Sequence, residues 1–399
     1  MRTLTNRREF IRIGTLAAGV GATSGNGRAG APSAPSADQE ERQSRIAQAG
    51  RAPVLKRELW PSPVHIASVE ALRAGEQILV RVRSRDGATG LAVGHPDVLQ
   101  TTWPILTQRV APFFVGKDAR DLEQLIDGVY LTSSNYKWQG LPFWVPVASV
   151  EIAVLDLLGH VARKPLGALF GDVVRREVAV YRASGNRGNS PEQEIAYLQR
   201  LVGETGAQAI KFRLGARMRY DEPSTRRDLA LIPLTRKTFG DDMTIYADAN
   251  GSYDIPTALR IGRVMQDHRL AFLEEPLPFD YYDETKEVAD ELPLPVAGGE
   301  QESSLRRFRW MIERKGVDIV QPDLFYFGGF VRSLRVARMA AAAGMPCSRT
   351  CRTGGSGICT SCISPRACRT PVHSRSTRDA MRRCRSLPTR RLSSASRAC

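Results

Sequence analysis

The stretch MTIYADANG, residues 243–251, is a short apolar run that stops on Asp248 and Asn250 beside a glycine. Such a run reads as a strand whose carboxyl end carries polar chemistry. The design recurs on either side, in EVAVYRASG (177–185), AQAIKFRLG (207–215), LAFLEEP (270–276), LPVAGGE (294–300), VDIVQPD (317–323) and AGMPCS (343–348). Helical stretches separate these runs, and strands alternating with helices indicate βαβ units on a parallel sheet. Seven consecutive units exceed what most open sheets need. The pattern therefore predicts an α/β fold of the (β/α)-barrel kind over residues 173–348, with reacting groups at the carboxyl ends of its strands.

Four of those ends carry carboxylates: Asp248, Glu274, Glu300 and Asp323. The first three are spaced 26 and 26 residues apart, close to one repeat each, so successive units bring them to one barrel mouth. Three converging carboxylates repel unless protonated or given a cation, and hard oxygen donors favour Mg²⁺. Any one of them alone reads equally well as an ordinary loop acid. Opposite them stands Lys211-Phe212-Arg213. Alternate residues of a strand share a face, so Lys211 and Arg213 point inward while Phe212 packs against helices. Two inward cations need an anion nearby, which either a substrate carboxylate with the metal site or a structural salt bridge supplies.

Residues 53–172 read as a separate α+β unit. QILVRVRSRDGATG (77–90) alternates and reaches the hairpin signal Asp86-Gly87. From Val147 to Ala162 the apolar positions form one helical stripe, ending near Lys164-Pro165. The leader NRREFIRIGTLAAGVGA (6–22), with paired Arg7 and Arg8, looks like a twin-arginine export signal followed by a linker to residue 37, which implies a periplasmic protein. A disordered basic leader is the alternative. The leader's apolar stretch is too short to span a bilayer, and no later segment is expected to do so; a stable membrane anchor is not expected.

KFRLG (211–215), DANGSYD (248–254), LEEP (273–276), GGE (298–300) and QPDLFYFGG (321–329) together resemble, in order and spacing, the enolase superfamily and most closely its mandelate racemase-like, acid-sugar dehydratase-like subgroup. No single motif is decisive; the ordered set is. The resemblance covers roughly residues 60–348 and implies a modified TIM barrel with residues 53–172 as its capping domain. It also implies that Asp248, Glu274 and Glu300 ligate Mg²⁺. Lys211 and Arg213 would occupy the family's Lys-x-Lys pair, Asn250 would contact substrate or support the ligands, and Asp323 would be the aspartate of an Asp–His dyad. The implied chemistry is removal of the proton next to the carboxylate of an acid sugar or hydroxy acid through an enediolate. Dehydration is placed ahead of racemisation, and the assembly is expected to be a homo-oligomer. The sequence departs from this pattern twice. Arg213 is a poor base because guanidinium keeps its proton, and where the dyad's histidine is expected the chain reads Arg349-Thr350.

The end of the chain differs from the body. All seven cysteines fall between Cys347 and Cys399. Twelve arginines against the single acid Asp379 place +11 of the net charge of +15 in residues 349–399. A basic tail suits nucleic acid. This one lacks aromatic stacking platforms, however, and Cys347, Cys351, Cys359 and Cys362 lack the regular spacing of a zinc knuckle. The codons allowed for Ser348 to Cys351, read in a shifted frame, can encode Pro-His-Met. Further on the same offset permits apolar runs suited to a helix or strand. We therefore expect a frameshift near Ser348, with an unstructured aberrant tail, a missing last strand, a lost catalytic histidine and no nucleic-acid partner.

Overall fold

A computed structural model describes residues 36–172, 177, 180–348 and 390–391. The proposed leader, and the tail apart from Arg390 and Arg391, lie outside the described residues.

The capping unit begins with an antiparallel meander: β1 (Ile66–Ala74), β2 (Gln77–Ser84) and β3 (Thr89–Val93). The β2–β3 turn is the Asp86-Gly87 hairpin read from sequence, with Gly87 at φ +87° as such a turn requires. One face is covered by α2 (Val98–Ile105), α3 (Ala111–Phe114), α4 (Leu122–Leu131) and α5 (Leu141–Ala162), and α1 (Ala37–Arg51) precedes the meander. Helix α5 begins six residues before the expected Val147, because Pro142 falls in its first turn, where a missing N–H costs nothing. Its end at Arg163, in the left-handed region, falls where expected. At 22 residues α5 is long and apolar enough to cross a membrane, which corrects the expectation that no later segment is. Most of it is buried inside the protein, against β2, β3 and α2.

After residue 180 the parallel sheet runs in order β4 (Arg182–Ala183), β5 (Ala209–Arg213), β6 (Thr244–Asp248), β7 (Leu273–Glu274), β8 (Val296–Gly298) and β9 (Ile319–Val320). A parallel bridge from Val320 to Cys347 adds the seventh position. The intervening helices are α6 (Pro191–Thr205), α7 (Glu222–Phe239), α8 (Ile255–Asp267), α9 (Tyr282–Glu291) and α10 (Leu305–Arg314), with α11 (Phe330–Ala342) before the bridge. Local sequence starts several of them. Ser190 and Gln193 form a capping box on α6, while Asp221 and Asp254 accept the Ser224 and Thr257 amides at 2.9 Å. Ile210, Phe212, Ile245, Ala247, Leu273, Val296 and Val320 join the helix-side core, so their strand neighbours face the barrel interior.

Helix α1 was not anticipated. From Glu41 onward it lies on the barrel, with Ile46 fully buried and the Arg42 guanidinium donating to the Ile312 and Glu313 carbonyls at 3.1 and 2.9 Å. At the other extreme of the chain, Arg390–Arg391 form β10, which pairs antiparallel with β1 at Leu72 and Arg73. Backbone pairing needs no apolar pattern, which is why composition did not mark it.

Candidate metal centre

The strand ends β5 to β8 assemble one cluster. Asp248 and Glu274 are fully buried at the ends of β6 and β7, Glu300 follows β8, and one ligand oxygen from each lies within 4.8 Å of the others. The spacing argument therefore holds: three residues 26 apart meet at one point. Register explains it, since Asp248 pairs with Arg213 on one side and Glu274 on the other.

Lys211 and Arg213 face this cluster while Phe212 is fully buried on the helix side. The Lys211 ammonium donates to Glu274 Oε2 at 2.5 Å and sits 3.5 Å from Asp248 Oδ2. Burial alone would lower its pKa, but the charge on Glu274, with help from Tyr181, outweighs burial and raises it. Arg213 pairs with Asp248 and also donates to Asn250 Oδ1 at 3.1 Å. Glu300 is raised by burial and by its neighbour Glu274, as crowded carboxylates must be.

Asn250 ties the site together. Its amide N–H donates to Asp248 Oδ1 and its side chain donates to Glu275 Oε2, each at 2.9 Å. Both Asn250 and Glu275 sit at positive φ, +43° and +44°. Such strain concentrates where side chains must be aimed. Asp323, at the end of the β9 segment, is buried and accepts the Phe325 and Tyr326 amides at 2.8 and 2.9 Å. Position 350, where its histidine partner would be sought, lies outside the described residues. Glu275 escaped the sequence reading because a residue beside an inward carboxylate normally faces the other way. Burial, then repulsion from Glu300, pushes its carboxyl up to about 7.

The donor set fits a hard divalent ion. Glu274 Oε1 and Asp248 Oδ2 are buried and accept no well-aligned hydrogen bond among the described residues, although Arg213 and Lys211 lend charge to the latter. Buried carboxylate oxygens in that condition call for a cation.

A barrel with three carboxylates and two cations at its strand ends, beneath an α+β cap, defines a class of carboxylate-handling, divalent-ion proteins. Residues 52–171 match the mandelate racemase/muconate lactonizing enzyme N-terminal domain, and residues 193–382 match the enolase C-terminal domain-like family. A crystal structure from Roseobacter denitrificans, described as a racemase, is 34% identical with a TM-score of 0.67, covering 72% of this chain and 78% of that one. A mandelate racemase/muconate lactonizing protein from Paracoccus denitrificans PD1222, complexed with magnesium, is 28% identical with the same TM-score and the same coverage. Among curated proteins, the arabinonate dehydratase of Saccharolobus solfataricus is 28% identical over 280 residues, 68% of this chain and 71% of that protein. The chain belongs to the mandelate racemase/muconate lactonizing enzyme group of the enolase superfamily, and its cofactor is Mg²⁺. The C-terminal match runs past Ser348, where the resemblance read from sequence was expected to stop.

Proposed function

We propose that the chain is built to remove the proton next to the carboxylate of an acid sugar and so to dehydrate it, and that turnover is impaired because Thr350 stands where a histidine base is needed. The observation that carries this reading is the meeting of Asp248, Glu274 and Glu300 within 4.8 Å opposite Lys211 and Arg213. Asp248, Glu274 and Glu300 would hold the Mg²⁺, which when bound stabilises negative charge on the substrate's carboxylate oxygens.

The chain's own groups do the rest. Lys211 is held as an ammonium by Glu274, so it supplies positive charge rather than an empty lone pair. Arg213 adds a second fixed cation and orients Asn250. Neither can take a proton, which disfavours racemisation, where a base is needed on each face of the carbon. The remaining base would be a histidine held by Asp323, whose carboxylate is kept in place by two backbone amides.

The test pairs calorimetry with ¹H NMR in D₂O on a panel of acid sugars with Mg²⁺. Mg²⁺-dependent binding with little α-proton exchange is expected. Brisk exchange would contradict the missing base, and absence of any acid-sugar binding would remove the reading.

A further inference from the structure

We propose that Arg187, in the loop after β4, is a specificity residue that receives the far carboxylate of a dicarboxylic acid sugar. This rests on the acid-sugar reading above and names its substrate class.

Three guanidinium groups gather where the β4, β5 and β6 loops meet. Arg213 pairs with Asp248 and Arg227 pairs with Asp228 at 2.9 Å. Arg187 forms no ion pair among the described residues. Its Nε donates to the Leu214 carbonyl at 3.2 Å, and its Nη2 donates to Asn250 Oδ1. That same oxygen already accepts from Arg213 at 3.1 Å. Two cations thus share one neutral acceptor. Burial pulls Arg187 down to about 10, with repulsion from Arg213 and Arg217 adding to it and Asp228 opposing it. A guanidinium does not shed its proton under working conditions, so its unmet demand is for an anion.

Asn250 places that demand next to the reaction centre, because its amide N–H holds Asp248, one of the cluster's three carboxylates. A sugar acid bound by one end at the cluster reaches the mouth beside Arg187 with the other. A planar carboxylate there matches the guanidinium fork, and the hydroxymethyl end of a monoacid does not. The competing account, that Arg187 only braces the Leu214 carbonyl, predicts lower stability on its removal with no change in ligand preference.

Calorimetric titration of the full chain in saturating Mg²⁺ with galactarate and with galactonate, on the parent, Arg187→Met and Arg187→Lys, decides between them. A charge-assisted bond predicts that the parent prefers the diacid by about tenfold or more. The preference should collapse in Arg187→Met and be partly kept in Arg187→Lys, which also covers the case where Arg187→Met does not fold. Equal binding of the two acids by the parent, or an unchanged ratio in a variant that melts like the parent, overturns the inference and leaves the acid-sugar reading standing. If the chain takes up Mg²⁺ but binds neither acid, both fall.

Discussion

With its ammonium 2.5 Å from Glu274 Oε2 and 3.5 Å from Asp248 Oδ2, Lys211 is the cation that lets these buried carboxylates coexist. Removing one partner from a buried ionic cluster costs roughly 3–5 kcal/mol. Lys211→Met should therefore lower stability by about 3 kcal/mol in EDTA, read by urea unfolding. It should also recover more than the parent does when Mg²⁺ is added, because the ion then becomes the only counter-charge besides Arg213. Equal Mg²⁺ gains in both proteins would mean that the ion binds elsewhere. Glu300→Gln makes the complementary case. It removes a ligand without removing a cation, so the Mg²⁺-dependent gain of about 2.7 kcal/mol at a hundredfold excess over Kd should vanish, with EDTA stability kept or improved. At this scale the sequence was most legible where periodicity constrains direction. Repeat length placed Asp248, Glu274 and Glu300, and strand alternation placed Lys211 and Arg213. Arg187 and Glu275 could not be read that way. The first lies in a loop, and the second is turned by a positive φ that no neighbour in the sequence announces.

Among the elements, α11 shows how the cap is fastened to the barrel. Glu151, fully buried within α5, accepts the Phe330 and Val331 amides at 2.6 and 2.8 Å, placing a carboxylate on the positive end of α11. Gly329 permits this approach: its φ is +108°, and a Cβ there would lie 1.7 Å from Glu151 Oε2. Gly329→Ala should thus cost about 2–4 kcal/mol through strain and displacement of Glu151, measured by urea unfolding. Glu151→Gln, which keeps the shape and loses the charge, should cost about 1–2 kcal/mol. A larger loss for the glutamine than for the alanine would show that charge, not fit, holds the joint. The same loop carries Asp323, so either change is also expected to loosen that carboxylate. Apolar stripes made α5 legible, whereas α1 was hidden because only Ile46 of its residues is buried. Its hold on the barrel comes partly through Arg42, a side chain that composition assigns to solvent.

For the whole molecule the open question is how the ring is completed. The described parallel ladder ends at Val320, which accepts the Ser348 N–H at 3.0 Å and donates to the Pro346 carbonyl at 3.2 Å. A barrel needs a further strand against β4, and unpaired edges invite association. The proposed frameshift supplies one account of residues 349–399: it explains the cysteines, the arginines and Thr350 by a single event. The family match reaching residue 382 weighs on the other side, since a wholly foreign tail would not be expected to extend it. Sequencing the gene across the Ser348 codon separates the two. If the shifted frame encodes a histidine at position 350 followed by an apolar run, the chain rebuilt in that frame should resist urea better than the present one. It should also exchange the α-proton of its substrate by a factor of about 10² or more faster, the range a positioned general base contributes. Replacing only Thr350 with His should restore little, because the base also needs the strand that aims it at Asp323. If the shifted frame encodes no such segment, the tail is native and the base must come from another part of the chain.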